Sequence, residues 1–209
     1  MGNNILFRAS EVGELMAYPD KNQLPKSAMT FLELKESQIQ LQWKDKLDLD
    51  VMQKGIDVED ASIALFNEVT GNFFFKNTER KNNEYLTGEC DIFDQDSSTI
   101  WDIKSSYSKK THKMRLGIAS NKTYFWQLVS YAELWDAKYA GLARCLVDTP
   151  EHLINQFKDD VDWHVVSHIE PRKRCAYASM EVTTELREQL MNRVKLAHNK
   201  LQEMLLDFS

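Results

Sequence analysis

The chain is poor in the residues that punctuate or cross-link a fold. Of its 209 residues, 7 are glycine, 4 proline and 3 cysteine. So few glycines and prolines leave little room for a long linker, and no repeat or low-complexity tract interrupts the sequence. A single domain over 1–209 follows, because that length can bury a full core. Cys90, Cys145 and Cys175 are odd in number and far apart. That pattern argues against a disulfide framework. It also argues against zinc or iron–sulfur ligation, which needs close pairs. The cysteines read as reduced thiols, at least two of them core residues. No apolar run approaches the roughly 18–20 residues of a membrane span. Met1-Gly2-Asn3-Asn4 lacks the basic start of a secretory signal, and Leu6 breaks the myristoylation pattern. The expectation is a soluble cytoplasmic protein with no membrane partner.

A second deficit is local. The net charge is −6, yet no Asp or Glu occurs from Ile103 to Ala132. That stretch carries Lys104, Lys109, Lys110, Lys113, Arg115, Lys122 and His112. It reads either as a solvated loop or as an electropositive surface that accepts phosphates. Tyr107, Tyr124, Phe125 and Trp126 interleave with it, as base-stacking platforms do.

What is present predicts an α/β chain. Helices are expected from Ser10 to about Met16, from Ser27 to about Lys46, and from Val51 to Val69, the last closed by Thr70-Gly71. Phe73-Phe74-Phe75 starts a short strand. Glu84–Phe93 and Thr99–Lys104 form a hairpin around the turn residues Asp94–Ser98. A helix over Tyr124–Ala137 follows, then strands at Ala140–Val147 and Trp163–Ile169. Glu185–Asp207 is an amphipathic helix striped by Leu186, Leu190, Val194, Ala197, Leu201 and Leu205. Residues 1–50 thus form a helical N-terminal part, 51–150 a core, and 151–209 a strand plus the last helix. The order predicts a mixed sheet flanked by helices.

Strand geometry singles out Asp102-Ile103-Lys104. Side chains 102 and 104 share one face while Ile103 takes the other. An acid and an amine can therefore point into a cleft while Ile103 faces the core. The neighbouring hairpin strand brings Asp91 close. Two carboxylates on adjacent strands suit Mg²⁺, which takes one or two carboxylates, water and substrate phosphate. A lysine beside them can orient or deprotonate a water and offset transition-state charge. The alternative is an exposed cross-strand salt bridge of little consequence. Glu59 falls at the border of the apolar face set by Val58, Ala61, Leu65 and Val69. There it is either a metal-site acid or a first-turn acid favoured by the helix dipole. Gln127 and Tyr131 lie one helical turn apart on one face.

Glu59, Asp91, Asp102-Ile103-Lys104 and Gln127-Leu128-Val129-Ser130-Tyr131, in that order, resemble the PD-(D/E)XK nuclease superfamily. Phe7-Arg8-Ala9-Ser10-Glu11-Val12, Lys54-Gly55-Ile56-Asp57-Val58-Glu59-Asp60 and Thr87-Gly88-Glu89-Cys90-Asp91 carry a closer resemblance to the phage lambda exonuclease or YqaJ type. The resemblance implies a restriction-endonuclease-like fold with an αβββαβ core and helical additions at both ends. It implies a 5′→3′ exonuclease on duplex DNA ends in phage-type recombination, in a bacterial or phage-infected cell. Asp91, Asp102 and the Ile103 carbonyl would hold Mg²⁺ or Mn²⁺. Glu59 would bind a second ion or its water. Lys104 would act on the attacking water, and Gln127 would support the site. Ser10 and Arg8 would hold a 5′-phosphate, Ser10 also reading as a helix N-cap. Tyr131, Lys109, Lys110, Lys113 and Arg115 are the remaining candidate DNA contacts. A ring-shaped trimer and a single-strand annealing protein are the implied partners. The chain departs from the family in its Cys90-Asp91 context and in having Asp, not Glu, at 102. Two alternatives are a Cas4- or RecB-like single-strand nuclease and a catalytically inert DNA-binding relative.

Overall fold

In the computed structural model, residues 5–44, 50–155, 157 and 159–207 are described. The chain enters through strand β1 (Phe7–Arg8) and a 3-10 turn, Ala9–Leu15, that buries Ala9, Val12 and Leu15. Arg8, not Ser10, occupies the cap of that turn. Helix α1 (Lys26–Gln40) follows. The expected end of this helix, Lys46, lies outside the described residues.

The helix expected over Val51–Val69 is in fact two, α2 (Asp50–Asp57) and α3 (Glu59–Thr70). The break falls on Val58, at φ −114 and ψ 14. One turn earlier, the buried Lys54 ammonium reaches across to backbone carbonyls of Ser106 and Val147 and anchors α2 there. The helix α3 closes on Gly71, whose φ of 73 is the left-handed conformation that costs glycine no Cβ clash. Residues 73–75 form no strand. Asn67 bonds both backbone groups of Phe74, its amide donating to the carbonyl and its Oδ1 accepting from the N–H, each at 2.9 Å. The side chain thus takes the place of a ladder partner.

The expected strand over Glu84–Phe93 is split between two sheets. β2 (Lys81–Asn82) and β3 (Leu86–Gly88) join β1 in a small sheet of order β1-β3-β2. β4 (Ile92–Asp94) belongs with β5 (Thr99–Ser105), β6 (Tyr139–Cys145) and β7 (Cys175–Glu181) in a sheet of order β4-β5-β6-β7. β5 and β6 run parallel, and the outer pairs are antiparallel. The parallel crossover is helix α4 (Lys122–Trp135). Its cap is Asn121, whose Oδ1 accepts from Thr123 at 3.0 Å and Tyr124 at 3.2 Å. The strand expected at Trp163–Ile169 is replaced by turns, with a 3-10 turn at Val161–Trp163. The edge strand β7 instead follows the one-turn helix α5 (Pro171–Arg174). Most of β7 is only partly covered, so it lacks the apolar alternation that would reveal it. Helix α6 (Thr184–Leu206) ends the described chain and buries Leu190, Val194, Ala197 and Leu201, as the stripe predicts.

The four-stranded sheet separates two cores, as its two-residue period dictates. Ile100, Ala140 and Leu142 face α4, with α6 also in that core. Ile103, Ala143 and Cys145 face the α3 residues Ile63, Leu65 and Phe66. Each fully buried aliphatic side chain contributes about 1.5–3 kcal/mol. Gly141 is required where β6 passes under Trp101, since a Cβ there would lie 2.2 Å from the indole. The expected mixed α/β sheet with helical additions is what forms. Scattering in sequence hid one feature. Cys145 and Cys175 face each other across β6 and β7 as free thiols, with sulfurs 3.8 Å apart.

Candidate active site

The pairing of β4 with β5 sets the geometry. Ile92 opposes Trp101, so Asp91 stands just before the start of β4, beside the middle of β5. There its Oδ2 accepts from the Ile103 N–H at 2.5 Å, in place of a ladder carbonyl. Asp102 projects from the opposite pleat to Ile103 and is 1% exposed. Its Oδ1 accepts from Lys104 Nζ at 2.9 Å and from Gln127 Nε2 at 3.1 Å. Its Oδ2 has no hydrogen bond, only the charge of the Lys104 ammonium at 2.8 Å.

Gln127 reaches Asp102 because α4 packs on that face of the sheet. Its Nε2 also donates to the Tyr131 hydroxyl at 3.1 Å. Tyr131 is 7% exposed and sits in the core. The expected role for it as a DNA contact is therefore corrected: its hydroxyl positions Gln127. Trp126 is likewise buried and offers no stacking surface.

Charge in the site is unevenly balanced. Burial, together with the nearby charge of Asp102, pushes the Asp91 carboxyl up to about 7. Burial works against the Lys104 ammonium, but Asp102 and Asp91 outweigh it and hold this lysine above its ordinary value. Lys104 is therefore charged at neutral pH, and it lies 5.7 Å from the Tyr124 ring centroid. Tyr131 is held above the usual phenol range, first by burial and then by Asp102.

A cavity of about 590 Å³ opens over this edge. Helix α2 walls it with Val51, Met52, Gly55 and Ile56. Glu59, Asp91, Lys104, Tyr124 and Arg144 also reach it. Glu59 begins α3, where the helix dipole favours an acid, and its Oε2 accepts from Lys76 at 2.8 Å. Among the described residues, no three His, Cys, Asp or Glu side chains converge as a ready metal site. The oxygen donors near one another are Asp91, Asp102 and the Ile103 backbone. An all-oxygen pair of carboxylates, one with an oxygen lacking any hydrogen bond, fits a hard divalent cation.

The remaining candidates lie elsewhere. Arg8 is exposed but engaged, its guanidinium bonding Glu11, which also accepts from Lys35 at 2.7 Å. Burial opposes the Glu11 charge, yet these two cations hold its carboxyl below the usual range. Ser10 is exposed beside them. The basic stretch is acid-free in sequence but not in space. It folds against Leu153, Asp162 and Trp163, so that Lys109 pairs with Asp162 at 3.0 Å and Lys110 sits 5.1 Å from the Trp163 ring. The Tyr107 hydroxyl donates to the Leu153 carbonyl at 2.7 Å. Lys113 and Arg115 are exposed.

The sequence reading passed over Lys76, which pairs with Glu59, and Arg144, which stands beside Lys104 on β6. Arg144 carried a signal. It shares a strand face with Leu142 and Leu146, and a charge on an apolar face calls for a partner.

No family model matches the sequence, and no curated protein is similar enough to serve as a relative. Solved structures do match. A phage-related exonuclease from Haemophilus somnus 129PT superposes with a TM-score of 0.90 at 24% identity, over 99% of this chain and 98% of that one. An alkaline exonuclease from Laribacter hongkongensis superposes with a TM-score of 0.67 at 12% identity, over 97% and 91%. The same exonuclease in complex with dAMP gives a TM-score of 0.65 at 11% identity, again over 97% and 91%. The chain has the fold of these exonucleases, which is the fold that the resemblance in its motifs implies.

Proposed function

We propose that the protein is a metal-dependent deoxyribonuclease, and specifically a 5′→3′ exonuclease acting on duplex DNA ends in phage-type recombination. The observation that carries this reading is the convergence of Asp91, Asp102 and Lys104 at the edge of a 590 Å³ cavity. The shared fold supports it, as does the dAMP held by the Laribacter exonuclease.

Asp91, Asp102 and the Ile103 carbonyl would hold Mg²⁺ or Mn²⁺. Such an ion supplies Lewis acidity and lowers the pKa of a bound water. Glu59 would serve a second ion once Lys76 releases it. Gln127 fixes the Asp102 carboxylate through Oδ1 and leaves Oδ2 for the ion. Lys104 acts as a charged donor: it orients the attacking water and offsets charge developing on the phosphoryl oxygens. Tyr131 keeps Gln127 in place from inside the core. On the resemblance alone we also assign a ring-shaped trimer and a single-strand annealing protein as partners.

Linear duplexes bearing a 5′-phosphate or 5′-hydroxyl, and closed circles, should be incubated with Mg²⁺ and with EDTA. Linear duplex is expected to be degraded from its 5′ ends, with the 5′-phosphate preferred, circles spared and EDTA inhibitory. Cutting of closed circles would sink the exonuclease assignment. No cleavage of any DNA with Mg²⁺ or Mn²⁺ would sink the nuclease assignment itself.

A further inference from the structure

The parallel pairing of β5 and β6 places Arg144 directly opposite Lys104. Adjacent strands lie about 4.8 Å apart, and residues in register share a face. A guanidinium and an ammonium therefore stand side by side, and both line the cavity. They differ in what they hold. Lys104 is bound to Asp102. Arg144 makes no hydrogen bond or ion pair to any described residue, and its Nε is shut from solvent without a partner. A guanidinium has five N–H donors, and a buried donor left unpaired loses its hydration with nothing in return.

The surroundings offer it no protein acceptor. On the far strand its register partner is Ala176, small and apolar. His112 lies near enough for Arg144 to affect it. Burial first, and Arg144 after it, hold that imidazole below its ordinary pKa, so it adds no charge of its own at neutral pH. The acids that share the cavity are engaged, Glu59 with Lys76 and Asp91 with the Ile103 N–H. What the guanidinium faces is open cavity beside the carboxylate edge. A planar fork of donors in that position matches the two free oxygens of a phosphodiester.

We propose that Arg144 is a substrate-phosphate anchor, taking the backbone phosphate adjacent to the one that meets Lys104. This rests on the nuclease reading and names a contact within that same site. It also explains how a chain of net charge −6 can hold DNA against three carboxylates.

The test uses the full chain and the variants Arg144→Met and Arg144→Lys, each first shown to unfold cooperatively near the wild-type temperature. Binding to a duplex oligonucleotide is measured in EDTA across a salt series, and cleavage is measured in Mg²⁺. Arg144→Met should raise KM about tenfold with a much smaller fall in kcat. It should also flatten the slope of log K against log salt by about 0.9, one phosphate contact. Arg144→Lys should restore the slope but only part of the KM, because an ammonium cannot fork. A duplex neutralised at one linkage by methylphosphonate should bind the wild type more weakly at one position and leave Arg144→Met unaffected there. A folded Arg144→Met with wild-type KM and slope would overturn the proposal, as would a lysine variant that leaves the slope flattened. If the wild type cleaves nothing, the nuclease reading fails, and the salt slope and linkage scan still decide on Arg144.

Discussion

Lys54 and Arg193 are both buried, at 0% and 2% exposure, and both make several hydrogen bonds inside the protein. Lys54 Nζ donates to the carbonyls of Ser106, Tyr107 and Val147, each at 2.9 Å, and meets Thr149 Oγ1 at 2.8 Å. Arg193 donates to the carbonyls of Tyr18 at 2.6 Å, Gln23 at 2.9 Å and Lys21 at 3.0 Å. The cleft edge is built the other way. There an Asp102 oxygen lacks a hydrogen bond, a buried Arg144 nitrogen has no partner, and two carboxylates crowd together. Native interiors satisfy their polar groups. Unpaired buried atoms also occur away from the cleft, at Trp135 and His198, but those of Asp102 and Arg144 stand among perturbed charged groups at or just behind an open cavity, where such groups mark a candidate site. The first pair of residues ties the fold together, and the second region is where the proposed chemistry falls.

The contrast breaks most sharply at Asp102. Asp102→Asn keeps the shape but removes the carboxylate that faces both Lys104 and the proposed ion, and cleavage should fall by about 10³-fold or more. Single-turnover digestion of a linear duplex checks this, and a fall of less than tenfold would move the chemistry elsewhere. Lys54→Met is the opposite experiment. It leaves the Ser106 and Val147 carbonyls without a donor, the Tyr107 carbonyl keeping Thr149 Oγ1, and unfolding free energy in urea should drop by about 3 kcal/mol. A loss below ~1 kcal/mol would show that the Lys54 hub does not hold α2 to the sheet.

The next effect depends on pH. Burial and Asp102 raise the folded pKa of Asp91 to about 7, above the ordinary unfolded value near 4. Folding therefore takes up a proton between about pH 4 and 7, and the metal-free protein loses stability as pH rises through that window. Asp91→Asn should abolish this slope and leave the apo protein more stable at pH 8, by up to about 4 kcal/mol. Mg²⁺ should raise the wild-type Tm more at pH 8 than at pH 5, because the ion competes with that proton. Equal shifts at the two pH values would remove Asp91 from the ion's ligands. The smallest effect belongs to the basic loop. Charge reversal at Lys113 and Arg115, both exposed, should weaken DNA binding and flatten its salt slope. Reversal at Lys109, already paired with Asp162, should change the slope less. The opposite ranking would mean that the Asp162 pair opens on DNA.

Much of this was legible in the sequence, for reasons that can be named. The two-residue period put Asp102 and Lys104 on one face and Ile103 on the other, and the structure keeps that arrangement. The stripe of α6 and the glycine that ends α3 are local signals of the same kind. The failures are tertiary. The helix that breaks at Val58 is anchored through Lys54 to carbonyls 52 and 93 residues away. Phe74 is held by Asn67 where a strand was expected. Asp162 pairs with Lys109 in a loop that looks uniformly basic in order of sequence. Tyr131 was placed on the correct helix face, yet nothing local told whether that face met DNA or the core.

The most direct measurement compares the wild type with Lys104→Ala on one 5′-phosphorylated linear duplex, following cleavage in Mg²⁺ and binding in EDTA. The ammonium that both Asp102 oxygens face is predicted to be indispensable to hydrolysis and dispensable to binding. The wild type should degrade the duplex while Lys104→Ala binds it and leaves it intact. Degradation by Lys104→Ala at the wild-type rate would contradict the site and the mechanism built on it.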